Sequence, residues 1–262
     1  TLHLILLFIF LLSLPKILMP AGISYWAPVT AGIFAVFVAK APFGGLGRNP
    51  FNPAAAGVAF VTLLRPAEMF QYPDMSAGGF LPIFAETADA SVSSPAAALR
   101  SGFRPGMYPL DMLWGQYAGP IGTTGILVIA ACALFLFARR AADWKLTASF
   151  LLAAALYAAV FPRVIGSPLT SIKYELMAGS LFFCAVFMVT DPVTSPRTSV
   201  GKIIYGALAG ILTMILREFG RFEQGACFAL LILNACRPLI DRGVCSWMIW
   251  KEARHESNER KG

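Results

Sequence analysis

Charge is what this sequence has least of. Its 262 residues include 21 basic and 14 acidic side chains, 13% of the chain, against about 25% in soluble domains. Beside 57% hydrophobic residues, that scarcity excludes a soluble globular enzyme and a disordered chain. Histidine is nearly missing: His3 and His255 stand at opposite ends, which excludes a zinc domain. Five cysteines form no C-x-x-C pair, which excludes a disulfide scaffold and an iron–sulfur cluster built on this chain alone. They read instead as small hydrophobes. Alternating segments of about 10 residues, the mark of an outer-membrane barrel, are also missing. The formal charge of +7 does not point to nucleic acid, because the basic residues flank apolar runs. No basic stretch precedes the apolar start at Thr1, so a secretory signal is not read there, and further residues are expected upstream. What is present is a series of long apolar runs, the composition of an all-α polytopic membrane protein.

A spanning helix needs about 20 mostly apolar residues. The stretches 1–19, 21–42, 52–66, 120–138, 146–162, 172–190, 202–217 and 223–240 meet or approach that, which predicts about eight membrane helices in one integral domain over 1–262. Lys and Arg favour the cytoplasmic side. With the C-terminus inside, 13 of the 21 basic residues are cytoplasmic, chiefly in the 139–145 loop and the 242–262 tail. Arg163 and Arg217 then count among the basic residues of the outer face. Segment 67–119 becomes extracytoplasmic, with five acids against Arg100 and Arg104.

Two segments break the apolar pattern on the same predicted side. Residues 43–53 contain three glycines, Asn49, Asn52, Pro50 and Pro53; residues 190–196 contain Thr190, Asp191, Pro192, Thr194 and Pro196. Each leads into small-residue helix, Ala54 to Gly57 in one case and Gly206 to Gly210 in the other. Irregular backbone at membrane depth is tolerated only against protein or a watery cavity. Paired interruptions in two halves of a chain point to a binding site between them. Asn49, Asn52, Thr190, Asp191 and Thr194 are therefore the candidates for an ion or ligand path. The alternative is a pair of tight cytoplasmic turns with ordinary caps. Glu175, just inside a span, is a further ionisable candidate.

These runs carry a resemblance. FGGLGRNPFNPAAAG (43–57), MVTDPVTSPRTSVGKIIYGALAGILT (188–213) and CFALLILNACRPLIDR (227–242) resemble, in order, the D-type membrane subunit of the Rnf electron-transport complex. More distantly they resemble the B-type membrane subunit of the sodium-pumping NADH:quinone reductase. The stretch 109–124 fits more loosely, and the resemblance covers about residues 20–243. It implies a urea-transporter-like fold with two broken-helix segments in a pseudo-repeat. It implies a subunit of a bacterial inner-membrane complex that passes electrons from reduced ferredoxin to NAD and moves Na⁺ or H⁺ outward. The partners implied are the other complex subunits, including an extracytoplasmic flavoprotein. The cofactors implied are a riboflavin and an FMN phosphoester-linked to a threonine in the pattern Asp-x-x-Ser-Gly-Ala-Thr-Pro.

Here that loop reads Asp89-Ala90-Ser91-Val92-Ser93-Ser94-Pro95. With one deletion Ser91 matches the motif serine, Val92 and Ser93 replace Gly-Ala, and Ser94 replaces the acceptor threonine. Ser94 keeps a hydroxyl able to form the ester. The family's downstream acidic residue becomes Thr123. Three readings stay open: a flavin-carrying electron-transport subunit, a channel or transporter with no redox role, and a non-flavinylated structural anchor for a flavoprotein partner.

Overall fold

The structure, a computed structural model, describes residues 15–45, 47–73, 91–164, 167–220, 222–223 and 225–259. Its elements follow the apolar runs, and Gly and Pro set their ends. Helix α1 (Trp26–Phe37) leads through a 3₁₀ turn at Ala41–Phe43 into the first interruption. Helix α2 (Pro53–Leu64) starts on a cap: Asn52 Oδ1 accepts from Ala55 N, and Pro53 occupies the first turn, where no N–H is needed. After the short α3 (Pro66–Met69), strands β1 (Tyr72–Pro73) and β2 (Ser91–Val92) pair antiparallel across the undescribed 74–90. Then come α4 (Pro95–Arg100), α5 (Pro109–Trp114), α6 (Ile126–Ala138), α7 (Trp144–Val160) and α8 (Pro168–Met177). Helix α9 (Leu181–Phe183) runs on as a π turn at Cys184–Met188. Helices α10 (Ser199–Phe219) and α11 (Gly225–Glu259) complete the chain; α11 carries Pro238 inside it and takes up most of the predicted tail.

The seam between α7 and α10 is the centre of the fold. A Cβ at Gly206 would collide with Ser149 Oγ, and one at Gly210 with the Phe150 carbonyl. Only glycine lets the two backbones approach so closely. The helices run parallel. Lys202 Nζ bonds Asp143 Oδ2 at 2.7 Å where they start, and Tyr157 donates to Glu218 Oε2 at 2.5 Å where they finish. We call these the proximal and distal ends. Helix α11 returns antiparallel along α10, and α1 packs on α2 through Gly57 against the Ala31 carbonyl and Phe34 stacked on Phe60 at 4.1 Å.

Large apolar side chains face outward, among them Leu134 at 70% exposure, Phe135 at 66% and Leu152 at 64%. Such faces suit lipid rather than water. The stretches Trp26–Phe43 and Ser199–Phe219 are long and apolar enough to cross a membrane. Helices α2, α6 and α7 are apolar but shorter. The described residues thus form a helical membrane protein.

Two predicted spans differ from expectation. The stretch 120–138 becomes helical only at Ile126, because Pro120, Gly122 and Gly125 hold its start in turns. The stretch 172–190 is not one helix: α8 and the α9 segment meet at 70°. Gly179 sits at the break with φ +65°, a conformation that glycine adopts without strain. The stretch 1–19 lies outside the described residues except for its last five.

Candidate functional site

At the proximal end the two interruptions meet. Asn52 bridges them: its Oδ1 caps α2 while its Nδ2 donates to the Met188 carbonyl at 3.3 Å. One side chain thus holds the start of α2 against the end of the π turn, 136 residues away in sequence. Between the segments lies a cavity of about 560 Å³, lined by Lys40, Asn49, Asn52, Thr190 and Asp191 on its polar side. Phe183, Val186, Phe187 and Leu136 form its apolar side.

Asn49, Thr190 and Asp191 also serve their own turns. Asn49 Nδ2 donates to the Phe51 carbonyl, and Thr190 to that of Val186 at 2.5 Å. Asp191 accepts from Val193 N through Oδ1 and from the Thr194 hydroxyl through Oδ2, both at 3.1 Å. Arg237 clamps the same turn by donating to the Val193 carbonyl at 2.6 Å. The same side chains thus cap their turns and line the cavity. Four of the five predicted path residues line one cavity; the fifth, Thr194, stands behind it and orients the Asp191 carboxylate. Lys40 and Arg237 complete the surroundings and had no sequence signal beyond being basic.

The distal end holds a cluster that the apolar pattern does not reveal. Glu175 on α8 is 1% exposed and lies between two guanidinium groups, 3.4 Å from Arg163 Nη1 and 3.3 Å from Arg217 Nη1. Arg163 also reaches Glu218 at 3.9 Å. Arg217, placed by its sequence position among outer-face charges, is 5% exposed. A charge this deep needs partners on every side. Arg217 finds them by donating also to the carbonyls of Glu175 at 3.0 Å and Ala178 at 3.1 Å, where α8 ends.

Segment 91–119 caps this cluster. Ala96, Leu99, Met112 and Tyr117 form a small second core with Tyr174 and Ala178. Tyr117 donates to the Met177 carbonyl, and Tyr174 accepts from Arg104 while donating to the Met107 carbonyl. Ser94, the predicted flavin acceptor, is 4% exposed and caps α4 by accepting from Ala97 N. Its hydroxyl donates to Glu223 Oε2 at 2.5 Å. Burial raises the Glu223 carboxyl above its ordinary pKa, against the Ser94 hydrogen bond and the charges of Arg217 and Arg100. A phosphoester at Ser94 Oγ would meet that carboxylate at once. In this conformation the residues around Ser94 do not fit an attached FMN. Ser93 is exposed beside it, and Ser91 contributes backbone to β2.

Among the described residues no cluster of His, Cys, Asp and Glu is built to hold a metal ion.

Comparison with known proteins agrees with the motifs quoted above. Residues 9–247 match the NQR2, RnfD, RnfE family. The D-type subunit of the ion-translocating oxidoreductase complex of Erwinia tasmaniensis is 30% identical over 251 residues, covering 85% of this chain and 71% of the relative. The proteins of the same name from Salmonella paratyphi B and Salmonella newport are 32% identical over 250 residues, with the same coverage. The chain belongs to the NQR2, RnfD, RnfE family.

Proposed function

We propose that this protein is the D-type membrane subunit of an Rnf-type ion-translocating oxidoreductase complex, and that its proximal cavity is where a flavin is held and ion movement is coupled. The observation that carries the reading is the Asn52 bridge, which makes one cavity of two distant interruptions. Small-molecule sites run to about 300–1,000 Å³ with apolar walls and a few convergent polar groups. The cavity fits a planar heteroaromatic ring of riboflavin type: Phe183 and Phe187 offer apolar faces, and Asn49, Asn52 and Thr190 offer donors and acceptors for its polar edge. Bound there, the flavin would supply one- and two-electron chemistry, and the protein its position and local field. Asp191 and Lys40 bring opposite charges to the same cavity, so a cation passing it meets a carboxylate already oriented by Thr194.

The eight-span pseudo-repeat, the inner-membrane location and an extracytoplasmic flavoprotein partner belong to this proposal. So does the orientation, with the proximal end cytoplasmic and segment 67–119 outside. The relatives' shared name supports the complex. Covalent FMN enters the proposal only in a state in which Glu223 has left the Ser94 hydroxyl.

The purified complex should show a flavin absorption band, and Asn49→Leu and Asp191→Leu should lower ion-coupled electron transfer at equal membrane abundance. Wild-type coupled rates in both variants would leave only capped turns. Single-cysteine labelling at residue 143 with a membrane-impermeant maleimide tests the orientation, and labelling from outside intact cells overturns it. A channel or transporter with no redox role is the second reading, favoured by the enclosure of Ser94. A colourless protein that conducts a permeant would establish it.

A further inference from the structure

Where α10 begins, a pocket of about 440 Å³ opens between it and α11, lined by Arg197, Thr198, Asn234, Arg237, Pro238 and Asp241. It shares no lining residue with the proximal cavity. Its polar groups are only partly matched. Asn234 is 3% exposed; its Oδ1 accepts from Tyr205 at 2.6 Å, and its Nδ2 has no partner among the described residues. An enclosed donor without an acceptor costs free energy that a ligand acceptor restores. Arg197 is exposed and forms no hydrogen bond or ion pair among the described residues. Arg237 is occupied, by the Val193 carbonyl and by Asp241 at 3.5 Å. On the acceptor side, Asp241 Oδ1 is enclosed and unpartnered among the described residues, and Pro238 has no N–H to offer the Asn234 carbonyl one turn earlier.

These groups specify a ligand. Two guanidinium groups against one carboxylate leave one positive charge, which a phosphodiester balances. Its oxygens only accept, so they suit Arg197 and Asn234 Nδ2. Asp241 Oδ1 and the Asn234 carbonyl then still need donors, and hydroxyl groups on the same ligand supply them. A glycerol-bearing phosphodiester meets both needs, whereas a choline-bearing one has no donor and no net charge.

Depth and surroundings select a lipid over a free phosphodiester. Counted from Gly225, Asp241 and Cys245 lie about 24–30 Å along α11, where a hydrocarbon core of about 30 Å gives way to headgroups. Just beyond, Lys251 and Arg254 lie over the rings of Trp247 and Trp250, the pairing of an interfacial belt. At the same level of the helix pair runs an apolar groove of about 440 Å³, lined by Val200, Ile204, Ile240, Val244 and Trp247. Basic pockets between membrane helices hold anionic headgroups on the cytoplasmic side, which is the side proposed for this end.

We propose that the pocket between α10 and α11 seats an anionic phospholipid of phosphatidylglycerol type, with its phosphodiester on Arg197 and Asn234, its glycerol hydroxyls on Asp241 and the Asn234 carbonyl, and an acyl chain in the groove beside Trp247. The test uses the full-length chain in mild detergent, titrated with brominated-chain phosphatidylglycerol or phosphatidylcholine, with tryptophan quenching as the signal. Phosphatidylglycerol should quench saturably and bind about tenfold tighter than phosphatidylcholine, the effect of one charge-assisted hydrogen bond. Trp247→Phe should remove the saturable part. Arg197→Gln, at an exposed position that leaves the fold intact, should bring phosphatidylglycerol down to the phosphatidylcholine level, and Arg197→Lys should retain most of the preference. Asn234→Leu should act like Arg197→Gln.

Equal affinity for the two lipids overturns the proposal, as does an undiminished preference in Arg197→Gln. Glycerophosphoglycerol, the headgroup without chains, should compete poorly; competition as strong as that of the whole lipid overturns the lipid as occupant. None of these outcomes touches the flavin reading, which rests on absorbance and coupled turnover.

Discussion

The two ends of the bundle solve the burial of polar groups in different ways. At the proximal end the groups are mostly neutral and local: Asn49, Asn52, Thr190 and Thr194 each satisfy a turn within a few residues, and a cavity is left between them. At the distal end the groups are charged and remote: Arg163, Glu175, Arg217 and Glu218 come from three helix regions and pair with one another at 3.3 to 3.9 Å. Neutral caps cost little to bury and can face a ligand. Buried charges hold only as a set, because removing one strands the rest. The proximal end is thus suited to receiving a molecule, and the distal end to locking one arrangement of the break.

The largest effect should come from breaking the distal set. Glu175→Leu leaves Arg163 and Arg217 facing each other and should cost about 3–5 kcal/mol of stability. The double variant Glu175→Leu/Arg217→Leu should lose less than the single one. Denaturant unfolding in mild detergent measures both, and a double variant that is worse than the single one would show that the charges do not act as a set.

The seam that joins the ends comes next. Gly210→Val drives a side chain into the Phe150 carbonyl and should cost about 1–3 kcal/mol by overpacking. Gly243→Ala, at a position with open space around it, serves as the control. Equal losses in the two would show that the close approach of α7 and α10 does not stabilise the bundle.

At the proximal end Asn52→Ala removes both a helix cap and the bridge to Met188, and should cost about 1–2 kcal/mol. Asn52→Ser restores the cap but not the bridge. It should recover stability without recovering ligand affinity in the cavity, read by flavin fluorescence quenching. Recovery of both would show that the bridge is dispensable.

The smallest effects should distinguish the ends by pH. Burial raises the Glu223 carboxyl above its unfolded value of about 4.3. The folded state therefore favours the protonated form. This contribution to stability is full below the unfolded pKa and is lost as pH rises through the folded one. Glu223→Gln should gain about 1 kcal/mol over the wild type at pH 8 and nothing at acid pH.

Asp143 behaves oppositely. Burial would raise its carboxyl, but the Lys202 ammonium and the Lys145 backbone N–H outweigh it and hold the group low. Its contribution is present above the unfolded pKa and is lost as pH falls through the folded one. Asp143→Asn should cost about 0.5 kcal/mol at neutral pH and converge with the wild type in acid. Thermal midpoints across pH 3–8 read both slopes, and slopes of the same sign would erase the contrast.

The difference between the ends is also a difference in legibility. Proximal residues announce themselves, because Asn, Asp, Gly and Pro inside apolar runs are local breaks in a local pattern. Asn52 beside Pro53 reads as a cap from the residues alone. That it reaches Met188 does not, since nothing in either run names the other. The distal cluster left only fragments. Glu175 stands out as an ionisable residue inside a span, but Arg163 and Arg217 read as loop charges because each lies near the end of an apolar run. Ser94 was legible as a hydroxyl in a flavin motif and illegible as the buried partner of Glu223.

Composition and periodicity by themselves determined that this chain is a helical membrane protein and where its apolar runs break, while the motifs at 43–57, 188–213 and 227–242 carried its family resemblance. Those properties rest on the transfer of side chains from water and on backbone geometry, both of which act residue by residue. Tertiary structure alone decided that the two breaks share a cavity, that α8 and α9 meet at 70°, and that Glu175 finds Arg163 and Arg217. Buried polar groups choose partners by proximity in space, and the close approach of α7 and α10 at Gly206 and Gly210 sets that proximity.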